Sequence, residues 1–339
     1  MRINLLIIIF LLFSANVEAA RSKWLMPPTP LPMASLKKEL SLARGQAKNK
    51  GKWPRKISFV HQLYDYHKGT FHQEKTTIEI KKPPQRIIPH AVGTTEILWA
   101  ICPRERLVML NELVANPRFS IIADEVAKNS HFYNAKKFEL VIAARPDMVF
   151  TVVFSDAAFK TRLHQAGIQT IDLGSPDSLE SVIDEIKILG QIIGETANAK
   201  TLLEVMTKKL TLLQDSLPHN KKPPRLLYYD FGGYIPGVAS NFTSLCKMIG
   251  AVNVGAEQGV KSWKQIDHET LLSWDPDMII VPLESELVQK LKADPLLCHT
   301  RAVKNHRLRT IPSIYLRINS QFIILGANLL AGIVYQNGN

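Results

Sequence analysis

The sequence predicts an α/β protein made of two parallel-sheet lobes of similar topology that are joined by one long helix. Three observations predict this fold class: a passage that recurs 130 positions later, continuous apolar runs that alternate with helical segments, and a long stretch of helical periodicity. The chain of 339 residues exceeds the usual size of one domain, and its apolar content of 46% is sufficient for two hydrophobic cores.

The beginning of the chain, residues 1–19, has the pattern of an export signal. Arg2 provides the positive charge, Ile3 to Phe13 form an apolar run, and Val17-Glu18-Ala19 offers the small residues of a cleavage site. A transmembrane anchor is the alternative, but the run is shorter than the roughly 20 apolar residues that cross a bilayer. No cysteine follows for lipid attachment, so we expect a free periplasmic protein of a double-membraned bacterium.

Residues 20–56 form a basic extension. Over residues 20–86, Lys and Arg outnumber Asp and Glu by 15 to 4, which accounts for most of the formal net charge of +12. Closely spaced prolines followed by scattered lysines predict weak order. Such a tail could rest on anionic headgroups or be a solvated leader without function. Nucleic acid is not expected as a partner of an exported chain.

The recurring passages are Phe138–Phe150 and His268–Ile280. In each of them a glutamate, Glu139 or Glu269, opens a short amphipathic helix. Pro-Asp then ends the helix, because the residue before a proline is pushed away from helical angles. A continuous apolar run follows, which is typical of a parallel strand buried on both faces. The repeat therefore indicates two α/β lobes.

The first lobe is expected at residues 57–177 and the second at residues 223–339. Both contain apolar runs that predict buried strands: Arg86–Ile88, Leu107–Leu110, Met148–Val152, Thr170–Leu173, Leu226–Tyr229, Met278–Val281 and Leu308–Ile311. Helical segments such as Thr94–Ile101 and Thr243–Ile249 separate most of them, which favours parallel sheets.

A helical linker, residues 178–222, is expected between the lobes. Apolar residues keep helical spacing from Ile183 to Leu213, and Pro218 stops the pattern. A run of roughly 20 helical residues covers about 30 Å. We therefore expect one rigid backbone helix that joins the lobes and restricts closure to a small rocking.

The sequence contains no nucleophile elbow, phosphate-binding loop, His-Glu-x-x-His pair or dinucleotide-binding glycine pattern, so no catalytic residue, cofactor or enzymatic activity is predicted. No set of three histidines and a carboxylate predicts a bound metal ion. Three cysteines, Cys102, Cys246 and Cys298, also lack metal-ligand spacing. Cys246 and Cys298 could form a disulfide in an oxidising compartment, and three buried thiols are the equal alternative.

Three motifs carry a resemblance to a known family. The first is Pro83–Ile88 leading into Thr95–Leu98, the second is the Glu-to-Pro-Asp block in both lobes, and the third is Gly250–Val254. In this order, over about residues 57 to 335, they resemble the helical-backbone receptors of ABC transporters. These are class III periplasmic binding proteins, which bind iron siderophores, haem or cobalamin.

The resemblance implies a solute-binding component of an ABC importer that captures a bulky metal chelate between its lobes. It would deliver the chelate to membrane permease subunits, so its partners would be these subunits and, through them, their ATPase. An iron–siderophore ranks first as ligand, cobalamin second and haem third. A sensor or scavenger without a transporter is the alternative, and a monomer is expected. By resemblance, Glu139 and Glu269 lie on the outer tips of the lobes and dock on permease arginines. Otherwise they merely complement a helix dipole.

Ligands of open parallel sheets bind outside the carboxyl ends of the strands. The candidate ligand-binding residues at such positions are Phe132, Tyr133, Phe231, Tyr234, Trp263, Tyr315 and Arg317. Resemblance to the family's cobalamin receptor makes Tyr133 and Trp263 the strongest candidates, and we expect both rings to be exposed in the cleft. Core packing is the alternative for each aromatic. Arg317 is the candidate for an anionic group on the ligand, with a solvated surface arginine as its alternative.

Overall fold

The computed structural model describes residues 25–41, 52–65, 70–127, 130–134, 137–218 and 222–336. The predicted export signal lies outside the described residues. The chain divides into two compact units. The first unit comprises Pro32–Leu212 and Ile318–Leu325, and the second comprises Leu213–Arg317 together with the described residues before Pro32 and after Leu325.

The first unit mixes helices and strands as predicted. In chain order they are α1 (Met33–Ser41), β1 (Arg55–Asp65), β2 (Thr70–Ile80), β3 (Ile87–Pro89), α2 (Val92–Ile101), β4 (Leu110–Asn111), α3 (Ala123–Val126), β5 (Phe132–Tyr133), α4 (Phe138–Ala143), β6 (Met148–Thr151), α5 (Ala157–Gln165), β7 (Thr170–Asp172), α6 (Leu179–Ile193) and α7 (Thr196–Asp215), whose last residues belong to the second unit.

A parallel sheet of order β3-β6-β7 forms the centre of the first unit. All residues of β3 and β6 are buried, which explains why these strands are continuous apolar runs in the sequence. Phe138 from α4 and Phe159 from α5 pack on Ile88 and Val149 of the sheet. The strands predicted for this lobe are confirmed, although Leu107 forms only an isolated bridge to the sheet.

A long antiparallel hairpin, β1 with β2, was not expected from the sequence. Its register pairs Arg55 with Ile80 and Asp65 with Thr70. Ile57 and Phe59 point into the unit and are buried, whereas Val60 is exposed, so the strand alternates between two environments. The hairpin is anchored on the parallel sheet because His61 Nδ1 hydrogen-bonds the backbone oxygen of Asp172 at 2.8 Å.

Part of the basic extension is folded. Within residues 20–56, the helix α1 buries Leu36 and Leu40 completely. Lys209 of α7 donates a hydrogen bond of 2.7 Å to Glu39. The expectation of weak order is therefore wrong for residues 33–41, because two leucines four positions apart give this helix an apolar face.

The second unit is also α/β. Its elements are β8 (Arg225–Tyr228), β9 (Tyr234–Pro236), α8 (Asn241–Met248), β10 (Val252–Asn253), α9 (Val254–Glu257), β11 (Trp263–Gln265), α10 (His268–Trp274), β12 (Met278–Pro282), α11 (Leu287–Ala293), α12 (Arg301–Lys304), β13 (Leu308–Ile311), α13 (Ser313–Leu316) and α14 (Ile323–Ala331), which begins in the first unit. A parallel sheet of order β10-β8-β12-β13 forms its centre, and β9 and β11 pair separately as an antiparallel ribbon.

Two helices occupy the predicted linker. A capping box of Ser178 and Ser181 begins α6, and Gly194 ends it with a φ of 81°, a left-handed conformation that suits glycine. The 20-residue helix α7 follows, and the boundary between the two units falls inside it. The prediction of one long backbone helix thus corresponds to α7, about 30 Å in length.

The sequence repeat has a matching local structure in each unit. Arg145 and Asp275, which precede the two Pro-Asp pairs, both have a positive φ, of 46° and 42°. The aspartates of the two Pro-Asp pairs then accept hydrogen bonds from the backbone at the start of the neighbouring strand. Asp147 accepts hydrogen bonds from the backbone of Arg86 and the residue before it, and Asp277 accepts one from the backbone of Arg225. The repeat therefore encodes one helix–turn–strand unit twice.

The three cysteines are free, so Cys246 and Cys298 are not bridged. None of the helices in the described part of the chain combines the length and apolar character that crossing a bilayer requires.

Candidate ligand-binding site

The carboxyl end of β8 leads into a turn that only glycine can form. Gly232 and Gly233 both have positive φ values, of 72° and 80°. A Cβ on Gly233 would lie 2.8 Å from the backbone oxygen of Ile266, which is closer than real contacts allow. The two glycines therefore form a tight turn. Strand β9 begins directly after this turn and pairs with β11.

Three aromatic side chains of this turn and ribbon form what we call the aromatic surface: Phe231, Tyr234 and Trp263. Each is between 42% and 45% exposed. Tyr234 pairs with Gln265 and Trp263 with Pro236. Directly paired residues of an antiparallel ribbon share a face, and so do residues two positions apart on one strand. Trp263 therefore lies on the same face as its partner Pro236, and Tyr234 lies on that face too. Trp263 is thus exposed, as expected, and its place in a cleft stays a prediction.

The aromatic surface is anchored on buried residues. The ring of Trp263 stands edge-on against the ring of Tyr228, with centroids 5.8 Å apart and an interplanar angle of 78°. Tyr228 is fully buried and also packs against Phe242. Such edge-to-face packing fixes the orientation of Trp263.

A charged pair lies at the same end of β8. Arg317 donates hydrogen bonds to the carboxylate of Asp230 and, at 3.3 Å, to the hydroxyl of Tyr228. Burial lowers the pKa of Arg317, but the Tyr228 hydroxyl and the Asp230 carboxylate more than offset this, so the pKa is raised overall. Arg317 is therefore charged and already bound to an internal anion, and not the solvated side chain that was the alternative.

Tyr315, the remaining candidate of the second unit, is half-buried in α13. Its backbone oxygen would lie only 2.3 Å from a Cβ placed on Gly326 of α14. Tyr315 thus belongs to a close helix contact, and its part in ligand binding stays a prediction.

Tyr133 does not have the exposure expected from the sequence. Its side chain is only 1% exposed, because β5 places it in the apolar cluster formed with Ile88 and Phe159. The hydroxyl hydrogen-bonds His90 Nδ1 at 2.6 Å, and His90 stacks on Phe159 with centroids 4.3 Å apart. The preceding residue, Phe132, is half-buried. The expected exposure of Tyr133 is wrong, while a role of either residue in binding stays a prediction.

His90 is uncharged in this setting. Burial, with a smaller contribution from the Lys160 ammonium group, lowers its pKa to about 4. A neutral imidazole with Tyr133 as partner makes the carboxyl end of β3 polar without adding charge.

Two residues of the site were not singled out from the sequence. Tyr228 was read only as part of a buried strand, and Asp230 was not named at all. An aspartate directly after a buried strand, at the carboxyl edge of a parallel sheet, is a signal that could have identified Asp230.

The candidate docking glutamates are both exposed, and each is the second residue of its helix. Glu139, 78% exposed, pairs with Arg162 at 2.9 Å. Its pKa is lowered, first by a backbone hydrogen bond and then by Arg162. Glu269 has no such ion pair among the described residues. No group of three or more His, Cys, Asp and Glu residues that could hold a metal ion occurs within the described ranges either.

Comparisons with known proteins identify relatives that match more than two thirds of this chain. The chain is 21% identical to a cobalamin-binding protein of Halobacterium salinarum over 237 residues, which are 68% of this chain and 62% of that protein. It therefore spans less than two thirds of the length of this relative. An uncharacterized ABC transporter substrate-binding lipoprotein of Bacillus subtilis is 23% identical over 268 residues, 76% of this chain and 82% of the relative.

A similar solved structure is that of a possible iron-binding (periplasmic solute-binding) protein from Staphylococcus epidermidis. It has a TM-score of 0.66 and 21% identity, and the match covers 75% of this chain and all of that chain. This likeness shows the fold. Residues 95–315 match the model of the periplasmic binding proteins, whose members bind solutes and are not enzymes. Because that match covers more than half of the sequence, the chain belongs to the periplasmic binding protein family.

Proposed function

We propose that this chain is the solute-binding component of an ABC importer, which captures a bulky metal chelate in the periplasm and delivers it to the permease subunits. The ATPase is a partner only through the permease. Membership of the family supports the class of function. The aromatic surface of Phe231, Tyr234 and Trp263 is the observation that carries the class of ligand.

The shape and rigidity of the aromatic rings suit such a ligand. Aromatic rings supply a large contact area and lose little conformational freedom on binding, which suits a wide, rigid and partly apolar ligand. Trp263 is held by Tyr228 before any ligand arrives, so little ordering is needed when the ligand binds.

Cobalamin becomes the first ligand to test. Arg317 was the candidate to bind an anionic group, such as the carboxylates or catecholates of a siderophore. Asp230 already occupies that guanidinium, and an anion would have to compete with it. A corrin with uncharged amide side chains does not need to compete with Asp230 for Arg317. A relative of the chain is also named as cobalamin-binding.

Isothermal titration calorimetry of the purified protein with cyanocobalamin, a ferric hydroxamate, a ferric catecholate and haemin tests the proposal. We expect binding of cyanocobalamin in the micromolar range or tighter. Preferential binding of a siderophore would restore the original order within the same function. Absence of binding by all four chelates would refute the proposed ligand class.

Trp263→Ala is expected to weaken binding of the chelate about tenfold, because the variant loses a large ring that is already oriented for contact. Titration calorimetry of both proteins measures the effect, and Trp263→Phe should retain part of the affinity. Val60→Ala is the matched control, since Val60 is a similarly exposed apolar residue on β1. Equal affinities of Trp263→Ala and the unaltered protein would remove Trp263 from the site.

A further inference from the structure

Asp230 is surrounded by hydrogen-bond donors beside the aromatic surface. Its Oδ2 accepts hydrogen bonds from the Tyr228 hydroxyl at 2.9 Å and from Arg317, and its Oδ1 accepts the backbone N–H of Phe231 at 2.8 Å. Three donors thus converge on one carboxyl group, and one of them is the guanidinium of its ion-pair partner Arg317. The charges of Asp230 and Arg317 therefore cancel within the second unit.

The two partners differ in their access to solvent. The side chain of Asp230 is 12% exposed and that of Arg317 is 35% exposed. Arg317 is consequently the more accessible member of the pair for a ligand. An anionic ligand at this position would meet a guanidinium whose charge is already offset by a nearby carboxylate.

The pair is also continuous with the aromatic surface. Phe231 directly follows Asp230, and Tyr228, which donates to Asp230, supports the ring of Trp263. A ligand lying on the aromatic rings is therefore placed beside the charged pair, so the charge state of the pair affects its affinity.

We propose that Asp230 determines the charge preference of the site: by neutralising Arg317, it makes the aromatic surface select a metal chelate without net negative charge over an anionic chelate of the same shape. This inference rests on the proposed function, because it presupposes that a chelate binds at the aromatic surface. Asp230 acts here as a positioning and charge-compensating residue that need not touch the ligand.

The test compares two ligands of one shape. Cyanocobalamin and its monocarboxylate, in which one side-chain amide is hydrolysed, differ by a single negative charge. Titration calorimetry should show that the unaltered protein prefers the neutral form. Asp230→Asn is expected to shift the ratio of the two affinities toward the carboxylate by about tenfold, as removal of one partner of a charge-assisted hydrogen bond predicts. The shift should shrink at high salt, because salt screens exposed charges.

Two further variants separate this role from a structural one. Asp230→Glu keeps the charge and should keep the original ratio. Arg317→Gln leaves Asp230 without its counterion, so the ratio should move in the opposite direction, further against the carboxylate. Asp184→Asn, the same chemical change on the exposed face of α6, should leave the ratio unchanged. If Asp230→Asn does not fold, the shift in Arg317→Gln decides the question by itself.

The outcomes distinguish the two proposals. Binding of both corrinoids with an unchanged ratio in Asp230→Asn and Arg317→Gln would overturn the role of Asp230 while leaving the proposed function intact. If only siderophores bind, a neutral ferric hydroxamate and an anionic ferric catecholate replace the corrinoid pair, with the same expected shifts. If no chelate binds the unaltered protein, the proposed function and this inference both fail.

Discussion

Reversal of both candidate docking charges, Glu139→Arg with Glu269→Arg, is expected to abolish uptake of the ligand while leaving its affinity unchanged. Each glutamate is exposed at the start of a short helix, one in each unit, and lies on the repeated helix–turn–strand passage. By resemblance to the family, both carboxylates are proposed to bind arginines of the permease. Two arginines in their place would repel the permease, and charges at the rim of an interface chiefly control encounter and orientation. Uptake of labelled ligand by cells and calorimetry of the purified variant measure the two quantities.

The control for this experiment reverses two carboxylates elsewhere. Asp184 on α6 and Glu204 on α7 are exposed and take part only in local pairs with lysines, so Asp184→Arg with Glu204→Arg should transport normally. Glu139→Arg also removes the ion pair between Glu139 and Arg162. The loss should have little effect on stability, because exposed ion pairs contribute little to it. Normal uptake by the Glu139 and Glu269 double variant would exclude docking through these residues.

The parallel sheets could be predicted because strands that are buried on both faces have a recognisable sequence pattern. Strands β6 and β12 are buried along their whole lengths, so they appear as apolar runs without alternation. The Pro-Asp pairs before them mark the helix ends with a local steric rule. Both signals lie within a few residues of the element they predict, which is why a single sequence was sufficient.

The hairpin of β1 and β2 and the helix α1 depend on weaker signals. Ile57 and Phe59 alternate with polar residues, but charged and polar residues dominate the rest of both strands, and the basic composition suggested weak order instead. The apolar face of α1 consists of little more than Leu36 and Leu40. Tertiary burial, and not local preference, decides the structure of such segments.

The candidate site was predictable in position but not in its charges. The rule of carboxyl strand ends located Phe231, Tyr234 and Trp263 from local sequence. The pairing of Arg317 with Asp230 joins residues 87 positions apart, and no local pattern specifies such a contact. Burial of Tyr133 likewise depends on the distant ring of Phe159. The sequence thus identifies candidate side chains more readily than it shows which of them already have a partner inside the protein.

Glu185→Gln is expected to stabilise the protein at alkaline pH and to have little effect at acidic pH. Glu185 is buried in α6, where one carboxyl oxygen accepts the Thr94 hydroxyl at 2.7 Å and the other has no hydrogen-bond partner among the described residues. Burial raises its pKa from the ordinary 4.5 to about 7, and the Thr94 hydrogen bond only partly opposes this. Between these values the folded chain holds a proton that the unfolded chain has released, so its free energy of unfolding falls as the pH rises.

Glutamine resembles the protonated acid in shape and cannot ionise. The free energy of unfolding of the variant therefore does not fall with pH through this residue. We therefore expect the stability difference between Glu185→Gln and the unaltered protein to grow by about 2 to 3 kcal/mol from about pH 5 to about pH 8. Urea denaturation at both pH values measures it. Glu96, whose pKa burial also raises to about 7, is present in both proteins and cancels from the comparison. Glu204→Gln, an exposed replacement on α7, should show almost no such growth. A difference that stays constant with pH would mean that Glu185 is ionised in the folded protein, and that the helix contact between α2 and α6 tolerates a buried charge.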